Sequence, residues 1–241
     1  MPNILIVNGS PHGGKGITGI LQKAFVEGAV SVGAHVDEVF LNKKKISPCL
    51  GCFNCWIKTP GKCVIKDDQA GLLEKCAWSD ILVLATPLYV DGMSAQTKTF
   101  VDRTVPLAEP EFILLDDHCR HPSRVKKEWK FALISGCGFH ELDNFEALVH
   151  HCKRMCINFH AKYCGHVLRP HAHILEFSEM LPNEIKKCLD AVRKAGEEIS
   201  LHGEISEKVM AEVSAPIVPR AAYINAVNVY WEQELSKIKE K

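Results

Sequence analysis

Four cysteines within fifteen residues, Cys49, Cys52, Cys55 and Cys63, follow the spacing C-x2-C-x2-C-x7-C. Three thiols at steps of three with a fourth close behind can wrap one cubane [4Fe-4S] cluster. A structural zinc site instead separates its two C-x2-C knuckles by a long spacer, so that each supplies two corners of a tetrahedron. The spacing favours iron–sulfur; zinc and plain burial of the thiols are the competing readings. Upstream, Gly9-Ser10-Pro11-His12-Gly13-Gly14-Lys15-Gly16-Ile17-Thr18 forms a glycine-rich turn between an apolar run and a helical pattern. Such a turn offers free backbone N–H groups at the positive end of a helix dipole, which suits a phosphate.

Three kinds of phosphate ligand compete for that turn. The dinucleotide fingerprint G-x-G-x-x-G is absent, because Ser10-Pro11 follows Gly9. Residues 9–16 read G-x4-G-K-G, but Gly16 stands where a nucleotide-hydrolysing loop needs a hydroxyl for Mg²⁺. No aspartate ends the apolar run Ile81 to Ala85 to supply the second magnesium group. A single terminal phosphate remains, with Ser10 and Thr18 supplying hydroxyls at the two ends of the turn, and FMN carries such a phosphate. His12 adds an imidazole that either donates to the ligand or fills space.

The elements that must position these residues alternate along the chain. Apolar runs at Ile4 to Val7, Val36 to Leu41, Ile81 to Ala85, Phe131 to Ile134 and Gly165 to Leu168 read as five strands. Helical patterns separate them: Ile17 to Val30, a helix capped by Asp67-Asp68, one after Gly92 with Phe100 inward, Glu141 to Phe159, and Asn183 to Ser200. Alternating β and α imply an α/β doubly wound parallel sheet, strand order 2-1-3-4-5, with helices on both faces. One domain over residues 1–241 is expected, with a cysteine loop at 47–66, a long connection at 105–130 and a C-terminal helical extension at 216–241. The connection is too long for an ordinary link and is placed to cover a site. The apolar stripe Tyr223, Val227, Tyr230, Trp231, Leu235, Ile238 docks either on its own domain or on a partner subunit.

Other candidates carry plainer readings. Cys152 and Cys156 share an apolar stripe with Phe145 and Phe159, which reads as core, and Cys76 and Cys188 read the same way. His150 and His151 diverge by about 100° around a helix and cannot share a metal. His171 and His173 alternate near a strand end, which would turn both to one side. Lys43-Lys44-Lys45 reads as solvated surface or as a docking patch for an acidic electron carrier.

The motifs together resemble a known family. G-S-P-x-G-x-x-x-x-T after the first strand is similar to the phosphate loop of flavodoxin-like NAD(P)H-dependent FMN oxidoreductases. Thr86-Pro87-Leu88-Tyr89 with Gly92-Met93-Ser94-Ala95 and Lys98 resembles their second flavin loop, and Ser135-Gly136-Cys137-Gly138-Phe139 their third. The cysteine loop, followed by Cys63-Val64-Ile65-Lys66-Asp67-Asp68, resembles the iron-sulfur flavoprotein subgroup, with Gln69 where a methionine is common. The resemblance implies an FMN-binding oxidoreductase holding the flavin through Ser10, His12, Gly16, Ile17, Thr18, Pro87, Leu88, Tyr89, Gly92, Ser135, Gly136 and Gly138. It further implies a [4Fe-4S] cluster on Cys49, Cys52, Cys55 and Cys63, and a homodimer or homotetramer. No catalytic acid or base is demanded, since a flavin carries its own chemistry. The donor is NAD(P)H, acting transiently, or a ferredoxin; the acceptor is a small molecule or protein. A cluster-free NAD(P)H-dependent FMN or quinone reductase and a non-enzymatic electron carrier are the alternatives.

Composition sets outer bounds. Lys+Arg and Asp+Glu are both 29, so no global field recruits nucleic acid or an anionic membrane. No apolar run is long enough to span a bilayer and no basic leader precedes the first strand, so a cytoplasmic protein is expected. Eleven cysteines, four of them in one loop, suit free thiols or metal ligands better than disulfides.

Overall fold

A computed structural model describes residues 1–239 of the chain. Five strands, β1 (Asn3–Asn8), β2 (His35–Phe40), β3 (Ile81–Tyr89), β4 (Trp129–Gly136) and β5 (Ala161–Arg169), pair in parallel in the order β2-β1-β3-β4-β5. This is the flavodoxin-like order expected from the alternation. A short antiparallel piece, Gly92–Met93, pairs with the end of β3.

Alternation along the strands divides the core into two layers. Ile4, Ile6, Ile81, Val83 and Ala85 face α1 (Ile17–Ser31) and α5 (Pro182–His202). Leu5, Val7, Leu82 and Leu84 face α2 (Gln69–Trp78), α3 (Ala95–Asp102) and α4 (Glu146–Phe159). Both layers need apolar side chains on β1 and β3, which is why those strands read as unbroken hydrophobic runs. Cys152 and Cys156 lie in the second layer and Cys188 in the first, as core thiols. Helix α1 ends in a Schellman motif: Gly33 has φ 88°, its N–H reaches Val30 O at 2.9 Å, and Ala34 N–H reaches Ala29 O at 3.1 Å. Helices α1 and α5 approach through glycine, since a Cβ on Gly28 would stand 1.8 Å from Arg193 O.

Two elements go beyond the sequence reading, and the expected C-terminal helix follows them. The connection 105–130 carries a hairpin, Ile113–Leu115 against His118–Arg120. Its turn is Asp116-Asp117, both left-handed at φ 48° and 58°, as a tight two-residue hairpin turn requires. A helix α6 (Glu207–Ser214) follows α5, with Ser206 Oγ capping Val209 N–H at 3.3 Å. Helix α7 (Arg220–Lys239) follows Pro219, and the last two residues of its expected span lie outside the described residues. Its first turn docks on its own chain through Tyr223, while Tyr230, Trp231 and Leu235 farther along are exposed.

Arg169, fully buried at the end of β5, donates to Pro170 O at 2.8 Å, Val213 O at 2.6 Å and Ala215 O at 2.9 Å. One guanidinium thus ties the sheet to the segment leading into α7. His171 and His173 do not share a side: β5 stops at Arg169, His171 turns left-handed at φ 40°, and the two-residue alternation ends there. His171 is buried, whereas His173 is exposed beside Glu176. His150 and His151 are both exposed.

Candidate functional site

The four loop motifs singled out in the sequence lie at the carboxyl ends of strands. The glycine-rich turn follows β1, the cysteine loop follows β2, and the two further loops end β3 and β4. Strand order reverses between β1 and β3, and a doubly wound sheet opens its ligand crevice at such a point.

The turn after β1 is braced from beneath. Asn8 is buried; its Nδ2 donates to Gln22 Oε1 at 2.7 Å, and its Oδ1 accepts from Ser10 N–H at 2.8 Å. Ser10 Oγ in turn accepts from His12 N–H at 3.2 Å. From the side, Gly9 N–H donates to Ala85 O at 2.8 Å, and Ser94 Oγ donates to Gly9 O at 2.7 Å. Position 9 must be glycine, because a Cβ there would lie 1.8 Å from Thr97 Oγ1. Gly16 caps α1 in an extended conformation with no side-chain cap. Among the described residues, the N–H groups of Gly16, Ile17 and Thr18 have no acceptor, and neither has the Thr18 hydroxyl. A rigid ring of unmatched donors at a helix N-terminus is suited to a phosphate. His12 lies exposed at the rim.

The loop after β3 is a hairpin in which Leu88 pairs with Met93 and Tyr89 with Gly92. Its turn residues Val90 and Asp91 are left-handed at φ 47° and 56°. For a β-branched side chain such a conformation costs about 1–2 kcal/mol, and Val90 is fully exposed, so no packing of its own offsets that. Ser94 N–H donates to Thr86 Oγ1 at 2.9 Å, binding the hairpin back to β3. Pro87 and Leu88 are half-buried and Tyr89 is exposed, leaving an apolar edge beside the glycine-rich turn.

The loop after β4 is held from behind. Ala172 N–H donates to Cys137 O at 2.8 Å and His171 N–H to Phe139 O at 2.6 Å. Tyr223 Oη, from α7, donates to Gly138 O at 2.6 Å, and the His140 ring stacks on His171 at 4.5 Å. Ser135 and Gly136 are buried at the strand end, and Ser135 Oγ has no partner. Burial pushes the Cys137 thiol up, so it is a protonated wall group rather than a nucleophile.

The cysteine loop is closed at its neck by two aspartates. Lys45 N–H donates to Asp68 Oδ2 at 2.7 Å and Ser47 N–H to Asp67 Oδ2 at 2.9 Å. The expected capping of α2 by both side chains is therefore only partial: Asp67 Oδ1 accepts from Gln69 N–H at 3.1 Å, while Asp68, at the N-cap position, accepts from Lys45 N–H in the loop after β2. Gln69 is buried and donates to Phe100 O at 3.1 Å. Within the loop, Gly51 and Phe53 are left-handed, Cys55 is buried, Cys63 is half-buried, and Cys49 and Cys52 are exposed. Burial first, then Cys63, Cys49 and Cys52, push the Cys55 thiol up, so all four sulfurs are electrostatic neighbours. Among the described residues no three Cys, His, Asp or Glu side chains converge closely enough to hold a metal ion. The thiols must turn inward to become ligands. The donor set itself fits a cluster: four thiols on one loop, with Gly51 N–H already 3.5 Å from Cys49 Sγ, the kind of hydrogen bond that tunes thiolate-bound iron.

The connection 105–130 covers this loop. Trp56 Nε1–H donates to Ala108 O at 2.9 Å, and its ring lies between Phe53 at 5.1 Å and His121 at 4.7 Å. Six lysines and no acidic residue lie between positions 43 and 66.

The crevice and its loops define a flavodoxin-like architecture, and sequence comparison narrows it. The model of the NADPH-dependent FMN reductase family matches residues 2–129, just over half of the chain, and the chain belongs to that family. Curated relatives include an iron-sulfur flavoprotein of Methanocaldococcus jannaschii, 35% identical over 104 residues, or 43% of this chain and 52% of the relative. Another, from Methanosarcina thermophila, is 33% identical over 108 residues, covering 45% of this chain and 55% of the relative. The chain thus spans about half the length of the curated relatives it matches. Among solved structures, an FMN-dependent NADH-azoreductase from Bacillus anthracis in complex with FMN superposes with TM-score 0.63 at 14% identity, covering 83% of this chain and 100% of that one. An NAD(P)H:quinone oxidoreductase from Methanothermobacter marburgensis gives 0.58 at 16% identity, covering 83% and 98%. These two likenesses concern the fold. No helix among the described residues is long and apolar enough to cross a membrane.

Sequence reading alone missed Asn8 and Thr97, and it placed Ser94 in a loop and Tyr223 on a docking stripe without their bracing hydrogen bonds. Ser94 carried a signal, since a serine just before a helical pattern is a cap candidate. The others meet their partners only in three dimensions.

Proposed function

We propose that the chain is an FMN-dependent oxidoreductase that couples a [4Fe-4S] cluster to the flavin. The observation that carries the flavin assignment is the set of unmatched N–H groups at Gly16, Ile17 and Thr18, under a turn braced by Asn8 and Ser94. In this reading Ser10, His12 and Gly16 to Thr18 enclose the phosphate. Pro87, Leu88, Tyr89 and Gly92 form one edge of the ring site, and Ser135, Gly136 and Gly138 the other. Cys49, Cys52, Cys55 and Cys63 hold the cluster, beside Trp56 and the connection that packs on it. The two bound groups supply two-electron and one-electron chemistry respectively. The protein contributes position and potential, and needs no acid or base of its own.

Two kinds of electron donor fit this reading. The lysine-rich neck of the cysteine loop suits an acidic one-electron carrier such as a ferredoxin, and NAD(P)H is the transient hydride donor of the alternative route. A second reading, a cluster-free NAD(P)H-dependent FMN or quinone reductase, draws on the exposure of Cys49 and Cys52. A homo-oligomer in which α7 contributes contacts accords with the exposed Tyr230, Trp231 and Leu235.

Anaerobic purification followed by an absorption spectrum with iron and sulfide assays separates these readings. Flavin bands with iron and sulfide near four per chain support the coupled enzyme, and flavin alone with rapid bleaching by NADPH supports the cluster-free reductase. Thr18→Val should weaken FMN binding by about 1–3 kcal/mol. A colourless protein that takes up no FMN on titration refutes the proposal.

A further inference from the structure

Strand β1 turns Ile4 and Ile6 to the face that α1 covers, and the alternation puts Asn8 at the end of that apolar row. Asn8 is fully buried, so its amide needs partners inside the protein. Its Oδ1 accepts from Ser10 N–H at 2.8 Å, and its Nδ2 donates to Gln22 Oε1 at 2.7 Å. Gln22, on α1 and also buried, continues the line outward: its Nε2 donates to a carboxylate oxygen of Glu38, an exposed residue of β2, at 2.5 Å. One row of hydrogen bonds thus runs from the floor of the glycine-rich turn to the protein surface.

The direction of this row is fixed by its two ends. A backbone N–H only donates, and a carboxylate only accepts. Between them each amide has a single orientation, because reversing either one would set two donors or two acceptors face to face. With Ser10 N–H held inward, the Ser10 hydroxyl accepts from His12 N–H at 3.2 Å, and among the described residues its own hydrogen has no acceptor. That hydrogen joins the unmatched N–H groups of Gly16, Ile17 and Thr18 as donors for an anion. We infer that Gln22 and Glu38 are positioning residues for the flavin phosphate: they act through Asn8, holding its amide in the one orientation that turns Ser10 N–H inward. This rests on the reading that the turn holds the phosphate of FMN. A carboxylate set directly against the turn would repel that phosphate, whereas two neutral amides carry its polarity inward without its charge.

The test uses the full chain freed of flavin and titrated with FMN and with riboflavin, which lacks the phosphate, followed by the quenching of flavin fluorescence. A general loss of structure weakens both ligands, whereas a misdirected turn weakens FMN selectively. In Gln22→Leu, which leaves Asn8 Nδ2 unmatched, the FMN dissociation constant should rise at least about fivefold while that of riboflavin stays near the wild-type value. Gln22→Glu sets two carboxylates against each other and should weaken FMN likewise. The exchange Q22E/E38Q rebuilds the row, since the carboxylate at position 22 accepts both from Asn8 Nδ2 and from the amide at position 38. It should recover the FMN affinity, which keeps the test decisive if Gln22→Leu does not fold. A wild-type ratio of FMN to riboflavin affinity in Gln22→Leu, or an exchange that binds FMN no better than Gln22→Glu alone, overturns the assignment while leaving the phosphate reading intact. A wild-type chain that binds FMN no more tightly than riboflavin overturns both.

Discussion

His171 makes the third loop of the crevice acid-sensitive. The side chain is fully buried, and its Nε2 accepts from Ile217 N–H at 3.2 Å, so its lone pair is already used. Burial, then Arg169 and His140, hold its pKa down from 6.5 to about 3. The folded imidazole thus stays neutral while the unfolded one takes a proton below about pH 6.5. Stability is full above that pH and is lost as pH falls towards 3, at about 1.36 kcal/mol per unit. Between pH 7 and pH 5 the loss from this residue is about 2 kcal/mol. His166, held down to about 4 by burial and then Lys153, adds loss of the same sign. The check is urea unfolding followed by tryptophan fluorescence at pH 7, 6 and 5, in the native chain and in His171→Asn. Asparagine tolerates the left-handed backbone at this position and carries no group that titrates between pH 5 and 7. The variant should lose about 2 kcal/mol less than the native chain over that interval. Because His171 N–H holds Phe139 O, release of FMN should follow the same pH trend. An unchanged pH slope in His171→Asn would refute the reasoning, whatever the variant's stability at pH 7.

Two other substitutions test how the crevice is braced. Gly9→Ala should destabilise the chain by about 1–3 kcal/mol and weaken FMN retention, with Thr97→Ala in the same chain restoring much of the melting temperature; no rescue would mean that the contact is not what fixes glycine there. Tyr223→Phe leaves Gly138 O without its donor, at a cost of about 1–3 kcal/mol, and should speed FMN dissociation, measured by the recovery of free-flavin fluorescence on dilution. An unaltered off-rate would separate α7 from the flavin loop.

The sheet was legible because its signals are local. An unbroken apolar run such as Ile4 to Val7 is required wherever a strand is covered on both faces, and the five runs alone set strand number and crossover type. The loops were legible for a related reason: free N–H groups, glycines and clustered thiols are properties of a few consecutive residues. The hairpin inside 105–130 was less so. Its strands are only three residues each, and an Asp-Asp turn is a weaker signal than Asn-Gly. Helix α6 was hidden for want of a long stripe, since only Val209 and Val213 of its eight residues are buried.

Long-range polar pairings were not legible at all, and Asp67-Asp68 shows why. Read locally, two acidic residues before a helical pattern are a cap, and Asp67 does accept the Gln69 N–H. What decides their role is a guanidinium 36 positions away, with no spacing rule linking the two. Burial would raise the Asp67 pKa, but hydrogen bonds from Arg103, Ser47 and Gln69 outweigh it and hold the carboxyl below the usual range. A carboxylate lowered in this way stabilises the fold above its unfolded pKa, and that contribution is lost as pH falls below about 4 and through the folded value. The neck of the cysteine loop is therefore secured at neutral pH by charge, whereas the flavin loops are secured by neutral hydrogen bonds from Asn8, Ser94 and Tyr223. Strong acid should open the cysteine loop by protonating Asp67, while milder acid loosens the third flavin loop through His171. The two halves of the site are thus held by interactions that fail in different pH ranges.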